Sequence, residues 1–230
     1  RVQNKMPERL RYWIASVIIG SITAPKRIDG RPNKEKEFRL FLARLIFFIK
    51  EWEKFVTTRK SYQKLLFFYF INDGSTDKSV TKIKQNIKKL NFKIINKKNS
   101  GHGDSCKFAY EMIVKSNKNF DYLLQIDSDN QCDPIYLTKF TNLLKLKNYD
   151  FIFGFRKFRK DGYIRILISR ILSLTFYLKK LIYIKDLNTP YRIMKISNLK
   201  NILINIKKKK KYKNIKLFNC VLSYEINAKY

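Results

Sequence analysis

Residues 121–134 read DYLLQIDSDNQCDP, an apolar run from Tyr122 to Ile126 that ends in Asp127, Asp129, Asn130, Gln131 and Asp133. A strand built for an interior and stopped by oxygen-bearing side chains is either a solvated turn or a place where oxygens are collected. Asp127 and Asp129 flank Ser128, and Gln131 follows two positions on, so alternate residues can turn their oxygens toward one spot. Carboxylate and amide oxygens are hard ligands of the kind Mg2+ or Mn2+ prefers. A turn accounts for Asp133 as a cap with Pro134 at the first helical position. It does not account for two more carboxylates within like-charge range, an arrangement that costs stability unless a cation or an arginine offsets it.

Working outward, further short runs rich in β-branched and aromatic residues lie at Leu65–Ile71, Phe92–Ile95 and Asp150–Gly154, with Trp13–Ile19 as a first strand. Ser79–Leu90, Asp104–Ser116 and Pro134–Leu146 have helical spacing. Strands alternating with helices predict an α/β fold with a mostly parallel, Rossmann-like sheet flanked by helices, whose ligands sit at the carboxyl ends of the strands. Glu35–Val56 reads as a long helix, Gly20–Arg31 as a basic segment without assignment, and Gly162–Tyr183 as C-terminal amphipathic helix with Arg and Lys among aliphatics. That last pattern suits a membrane surface or a core-facing helix equally well. The chain is read as one domain in three stretches: 1–64, a nucleotide-binding core at 65–161, and an acceptor-side stretch at 162–230.

The chain has 230 residues, with 50 Lys and Arg against 18 Asp and Glu, a formal net charge of +32. Such a field attracts polyanions: nucleic acid, anionic lipid or phosphorylated substrates. The acids gather at strand ends while the lysines are scattered, and no nucleic-acid motif is present, so a nucleic-acid module is the weaker reading. Cys106, Cys132 and Cys220 have no CxxC spacing, which predicts a reduced, cytoplasmic-side protein. No run of eighteen apolar residues occurs, and a first residue other than Met suggests a piece of a longer protein.

Four more loops carry chemistry. In FINDGSTDKS, Phe70–Ser79, NDGS by itself reads as a plain turn, and its place at a strand end makes Asn72 and Asp73 candidates for a nucleotide contact, Asp73 for base or ribose; Gly74 allows the turn and Asp77 can cap the next helix. In NSGHGDS, Asn99–Ser105, Gly101 and Gly103 let backbone amides approach a phosphate or sugar, and His102, the sole histidine, lines the loop. GFRKFRKDGYIR holds Arg156, Arg159 and Arg165, and KDLNTPYRIMK holds Asp186 and Arg192. A metal held by acids and faced by arginines is a way to manage two phosphate groups at once.

These motifs, in this order and over roughly Leu65 to Lys195, resemble the family 2 glycosyltransferases of GT-A fold, particularly the dolichol- and polyprenyl-phosphate sugar synthases. The resemblance implies that Asp73 contacts a nucleotide base, that Asp127, Asp129 and Gln131 form the metal-binding DxDxQ element, and that Arg156, Arg165 and Arg192 hold phosphates. It departs from the family's usual pattern between SVIIG and Pro32, where the basic segment intervenes. The expected activity is inverting sugar transfer from a UDP- or GDP-linked donor with Mg2+ or Mn2+. The acceptor is a lipid phosphate at the cytoplasmic face of a membrane, or a hydroxyl for which Asp186 is the base. A non-catalytic relative is the remaining alternative.

Overall fold

A computed structural model of the chain describes residues 14–20, 39–40, 42–47, 66–75, 79–87, 91–116, 118–129, 133–147, 149–155, 163–180, 186, 189, 191–209 and 218–227. Six strands form one sheet: β1 Ile14–Gly20, β2 Leu66–Asp73, β3 Phe92–Lys97, β4 Tyr122–Asp127, β5 Phe151–Phe153 and β6 Arg192–Lys195. Their order is β3-β2-β1-β4-β6-β5. The first four are parallel, β6 runs antiparallel to β4, and β5 antiparallel to β6. Besides helix within 39–47, the described residues include α1 Ser79–Asn86, α2 His102–Val114, α3 Leu137–Leu146, α4 Tyr163–Lys180, α5 Ile196–Lys208 and α6 Phe218–Asn227.

The burial pattern explains the strand composition. Tyr122 through Ile126 of β4 are all buried, as expected of a central strand covered on both faces. At the edge, β3 has no fully buried residue: Phe92, Ile94, Ile95 and Lys97 are half-buried, and Lys93 and Asn96 are exposed. Phe68, Phe70, Tyr122 and Leu124 pack to one side with Leu42, Leu45, Ile83 and Phe140. Tyr69, Ile71, Leu123 and Met194 pack to the other against Tyr110 of α2, Ile202 of α5 and Leu222 of α6.

Several expectations hold with shifted ends. Asp133 caps the turn at Pro134, its Oδ1 accepting from the Ile135 amide at 3.0 Å, but the first turn Pro134–Tyr136 is a 3-10 turn that passes into α3. Helix is present at 39–40 and 42–47, within the predicted 35–56; the rest of that prediction, Asp77 and nearly all of Gly20–Arg31 lie outside the described residues. Strand β6 was not anticipated: RIMK is too short for a period to register, and its burial identifies it only once β4 lies beside it. Of the C-terminal helices, α5 and α6 bury Leu199, Ile202, Leu203 and Leu222 in the core. By contrast α4 leaves Leu167, Ile168, Ile171, Leu174 and Leu178 between 51 and 71 % exposed, which rules out an ordinary core-facing helix over that face.

Truncating Leu124, 2 % exposed and central in β4, leaves a cavity that neighbouring strands cannot collapse into. Leu124→Ala should cost about 2–5 kcal/mol in urea unfolding at unchanged m-value.

Candidate active site

Strand register brings the motif loops to one edge. Ile19 of β1 aligns with Ile71 of β2 and Asp127 of β4, and Asp73 aligns with Lys97 of β3. With β1 between them, the tips of β2 and β4 stand about 10 Å apart, the scale of a nucleotide. Arg192 aligns with Gln125 on one side and Phe153 on the other, so the turn before β6 and the segment after β5 open at this same edge.

At the tip of β2, Asp73 is almost fully buried. Lys97 Nζ and the Ser100 amide (3.0 Å) donate to its Oδ1, and the Gly101 amide (3.1 Å) donates to Oδ2. Burial pushes this carboxyl up, but the bonds from Lys97, Ser100 and Ser105 outweigh it, so it is held below its ordinary value. Because Gly101 is the N-cap of α2, the carboxylate also sits where the helix dipole favours negative charge. Gly74 completes the joint: its φ is +73°, and a Cβ there would lie 2.9 Å from the Asn99 nitrogen. Asn72 donates to Asn96 Oδ1 at 2.9 Å and accepts from the Ser75 amide at 2.9 Å. Asp73 thus ties the first two loops together.

At the tip of β4 a buried polar chain leads to Asp127. Tyr110, kept protonated by burial, donates to Gln125 Oε1; Gln125 Nε2 donates to Asp127 Oδ1 at 3.3 Å. His102 Nε2 lies 3.3 Å from the other carboxylate oxygen and 3.6 Å from Cys106 Sγ. The Asp127 charge pushes His102 up to about 10 against the effect of burial, with Cys106 and Asp129 acting in the same direction. The ring is 45 % exposed, so screening leaves this pair little direct weight in stability. It nevertheless marks the corner as one that attracts cations. Sequence reading passed over Gln125 as part of an apolar run, and its signal is a polar residue in a strand buried on both faces. Lys97 was missed too: it ends β3, and Lys98 follows it before NSG, so the sequence offers two lysines and only the fold shows which one meets Asp73.

Asp129 is exposed next to buried Ser128. Among the described residues no group of three His, Cys, Asp or Glu gathers as a metal cage. The donor set at the β4 tip instead fits a hard cation that takes one or two carboxylates and completes its shell with ligand phosphates and water, the habit of Mg2+. Gln131, Arg156 and Arg159 lie outside the described residues, as does the side chain of Arg165. Asp186 is buried in the turn before β6, where its carbonyl accepts from the Thr189 amide at 3.2 Å. Arg192 is fully buried: Nε donates to Thr189 O at 3.2 Å, and Nη1 lies 3.4 Å from Ser223 Oγ. In this state Arg192 braces the turn and α6 and is not presented to a phosphate. Gly103 is buried in the first turn of α2.

The model described as Glycosyl transferase family 2 matches residues 42–215. The uncharacterized protein MJ0544 of Methanocaldococcus jannaschii is 27 % identical over 143 residues, covering 57 % of this chain and 61 % of its own. S. aureus TarS 1–349 in complex with UDP-GlcNAc superposes with TM-score 0.54 at 15 % identity, over 93 % of this chain and 52 % of that one. Glucosyl-3-phosphoglycerate synthase of Mycobacterium tuberculosis superposes with TM-score 0.53 at 13 % identity, over 88 % and 67 %. The chain thus spans about half the TarS fragment and 61 % of the curated relative.

Asp73→Asn should cost about 1–3 kcal/mol of stability at neutral pH. Since the native carboxyl lies below 3.8, its stabilisation is complete above that value and fades as pH falls through the depressed native one, so the wild-type and variant unfolding curves should converge in acid. Gly74→Ala, which meets both a positive φ and the Asn99 backbone, should lower the thermal midpoint by several degrees, about 1–3 kcal/mol.

Proposed function

Because the chain belongs to glycosyl transferase family 2, we propose that it transfers a sugar from a nucleoside-diphosphate donor, with a divalent cation, to a polyprenyl phosphate at a membrane surface. The observation that carries this is the register: the Asn72–Asp73 tip, the Gly101–His102 loop and the Asp127–Asp129 tip open side by side at one sheet edge. Two carboxylates and an α-helix N-terminus at nucleotide spacing suit a base and ribose at one end and a diphosphate at the other. A UDP-sugar bound by TarS on a similar fold is consistent with UDP as the nucleotide.

The loops of β2 and β3, joined through Asp73 and Lys97, form the floor of the base and ribose site, where Asn72, Gly101 and Gly103 contribute. Asp127, aimed by Gln125, and Asp129 would hold the cation with Gln131. Bound there, the cation supplies Lewis-acid neutralisation of charge developing on the leaving diphosphate. In the transfer, an acceptor phosphate oxygen bonds to the anomeric carbon from the face opposite the breaking bond to the donor diphosphate, with inversion. The acceptor oxygen is already anionic and needs no base. Arg156, Arg159 and Arg165 would orient the phosphates, a role their guanidinium geometry suits. A hydroxyl acceptor is the second reading, favoured by a buried carboxylate, Asp186, at the same edge; there it would take the hydroxyl proton.

Calorimetry with UDP and GDP, with and without Mn2+, tests the donor site. One nucleotide should bind in a metal-dependent way, and Asp127→Asn combined with Asp129→Asn should abolish that dependence; binding indifferent to metal and to both substitutions would refute the assignment. For the acceptor, Asp186→Asn should leave turnover with a polyprenyl phosphate within a few-fold, whereas a loss of about a hundredfold or more points to the hydroxyl version.

A further inference from the structure

Helix α4 presents Leu167, Ile171, Leu174 and Leu178 to solvent, each more than half exposed. Their spacing of four, three and four residues stacks them in one stripe on the 18-residue helix, with exposed Ile168 beside it. Ser173, on another face, is buried, so the helix meets the body with a different side and turns its aliphatic stripe outward. Single exposed leucines are ordinary on a protein surface, but a continuous stripe of them marks a contact surface. No helix among the described residues is long and apolar enough to cross a membrane.

The charges on this helix select the occupant. Its sequence carries Arg165, Arg170, Lys179 and Lys180 and no acidic residue, within a chain of net charge +32. Arg170 is exposed and lies three residues after Leu167 and four before Leu174, so it borders the stripe. A second copy packed on the stripe would bring two all-basic helices together, which is repulsive. An anionic bilayer takes both features: the aliphatics enter the acyl boundary while the cations meet headgroup phosphates.

We propose that the exposed face of α4, built on Leu167, Ile171, Leu174 and Leu178, docks the protein in plane on an anionic lipid surface. This deepens the lipid-acceptor reading above and rests on it for its purpose, because a lipid-borne phosphate is reached only by an enzyme held at the bilayer. Electrostatic attraction alone would saturate at the headgroups and vanish in salt, whereas apolar insertion persists.

Flotation of the 230-residue chain with phosphatidylcholine vesicles, with and without phosphatidylglycerol, tests it. The wild type should float with the anionic vesicles and retain part of that binding at high salt. Ile171→Gln with Leu178→Gln, both at exposed positions, should lower partitioning at least about tenfold without adding charge. UDP and GDP calorimetry on the same variant should be unchanged, which separates loss of the anchor from loss of the donor site. Equal flotation of variant and wild type would mean that scattered charge does the binding and would overturn the assignment. So would failure of the wild type to float, or sedimentation showing a wild-type dimer that the variant breaks, since the stripe would then belong to a second copy.

Discussion

The burial of β4 on both faces is the constraint from which the rest of the structure follows. A strand flanked by β1 and β6 and covered by helices above and below has no room for a solvated polar group. Gln125 nevertheless sits in it, fully buried, and is satisfied by Tyr110 and Asp127. An unmet amide at this depth costs on the order of 1–3 kcal/mol, so the bonds that satisfy Gln125 also fix the direction of the Asp127 carboxylate. Stability of the sheet and aim of the candidate site are therefore one arrangement.

The same economy governs the other tips. Asp73 is almost fully buried, and Lys97 with the Ser100 and Gly101 amides just before α2 compensates its charge. Those bonds bind the β2 and β3 loops into a rigid floor. On the far side, Arg192 is buried in β6 and satisfied by Thr189 and Ser223, coupling the turn at the site edge to α6. Buried charges here act chiefly as fasteners between loops, and the more exposed groups, His102 and Asp129, are left at the surface of the site.

Parallel topology explains why these fasteners share an edge. In a sheet whose β1 to β4 all run one way, every carboxyl end faces the same side, and the antiparallel β6 returns its preceding turn to that side. Helix α4 follows the β5 loop from this edge in sequence and keeps its aliphatic stripe outside the core. The chain thereby offers a polar edge and an apolar surface helix as separate features.

Sequence alone determined the alternation of strands and helices, the motif tips at Asp73, Gly101 and Asp127, and the resemblance to family 2, because each depends on local spacing that survives without coordinates. Short β6 was hidden, since four residues carry no period and their burial is conferred by β4. The functions of Gln125, Lys97 and Arg192 were equally hidden: their partners Tyr110, Asp73 and Ser223 lie 15, 24 and 31 residues away, and only folding brings them within hydrogen-bond reach. Amphipathic spacing in 163–180 left core and surface equally open, because periodicity gives a helix an apolar face without saying what covers it. Tertiary structure decided that question by filling the core with α2, α5 and α6 and leaving the stripe of α4 to solvent.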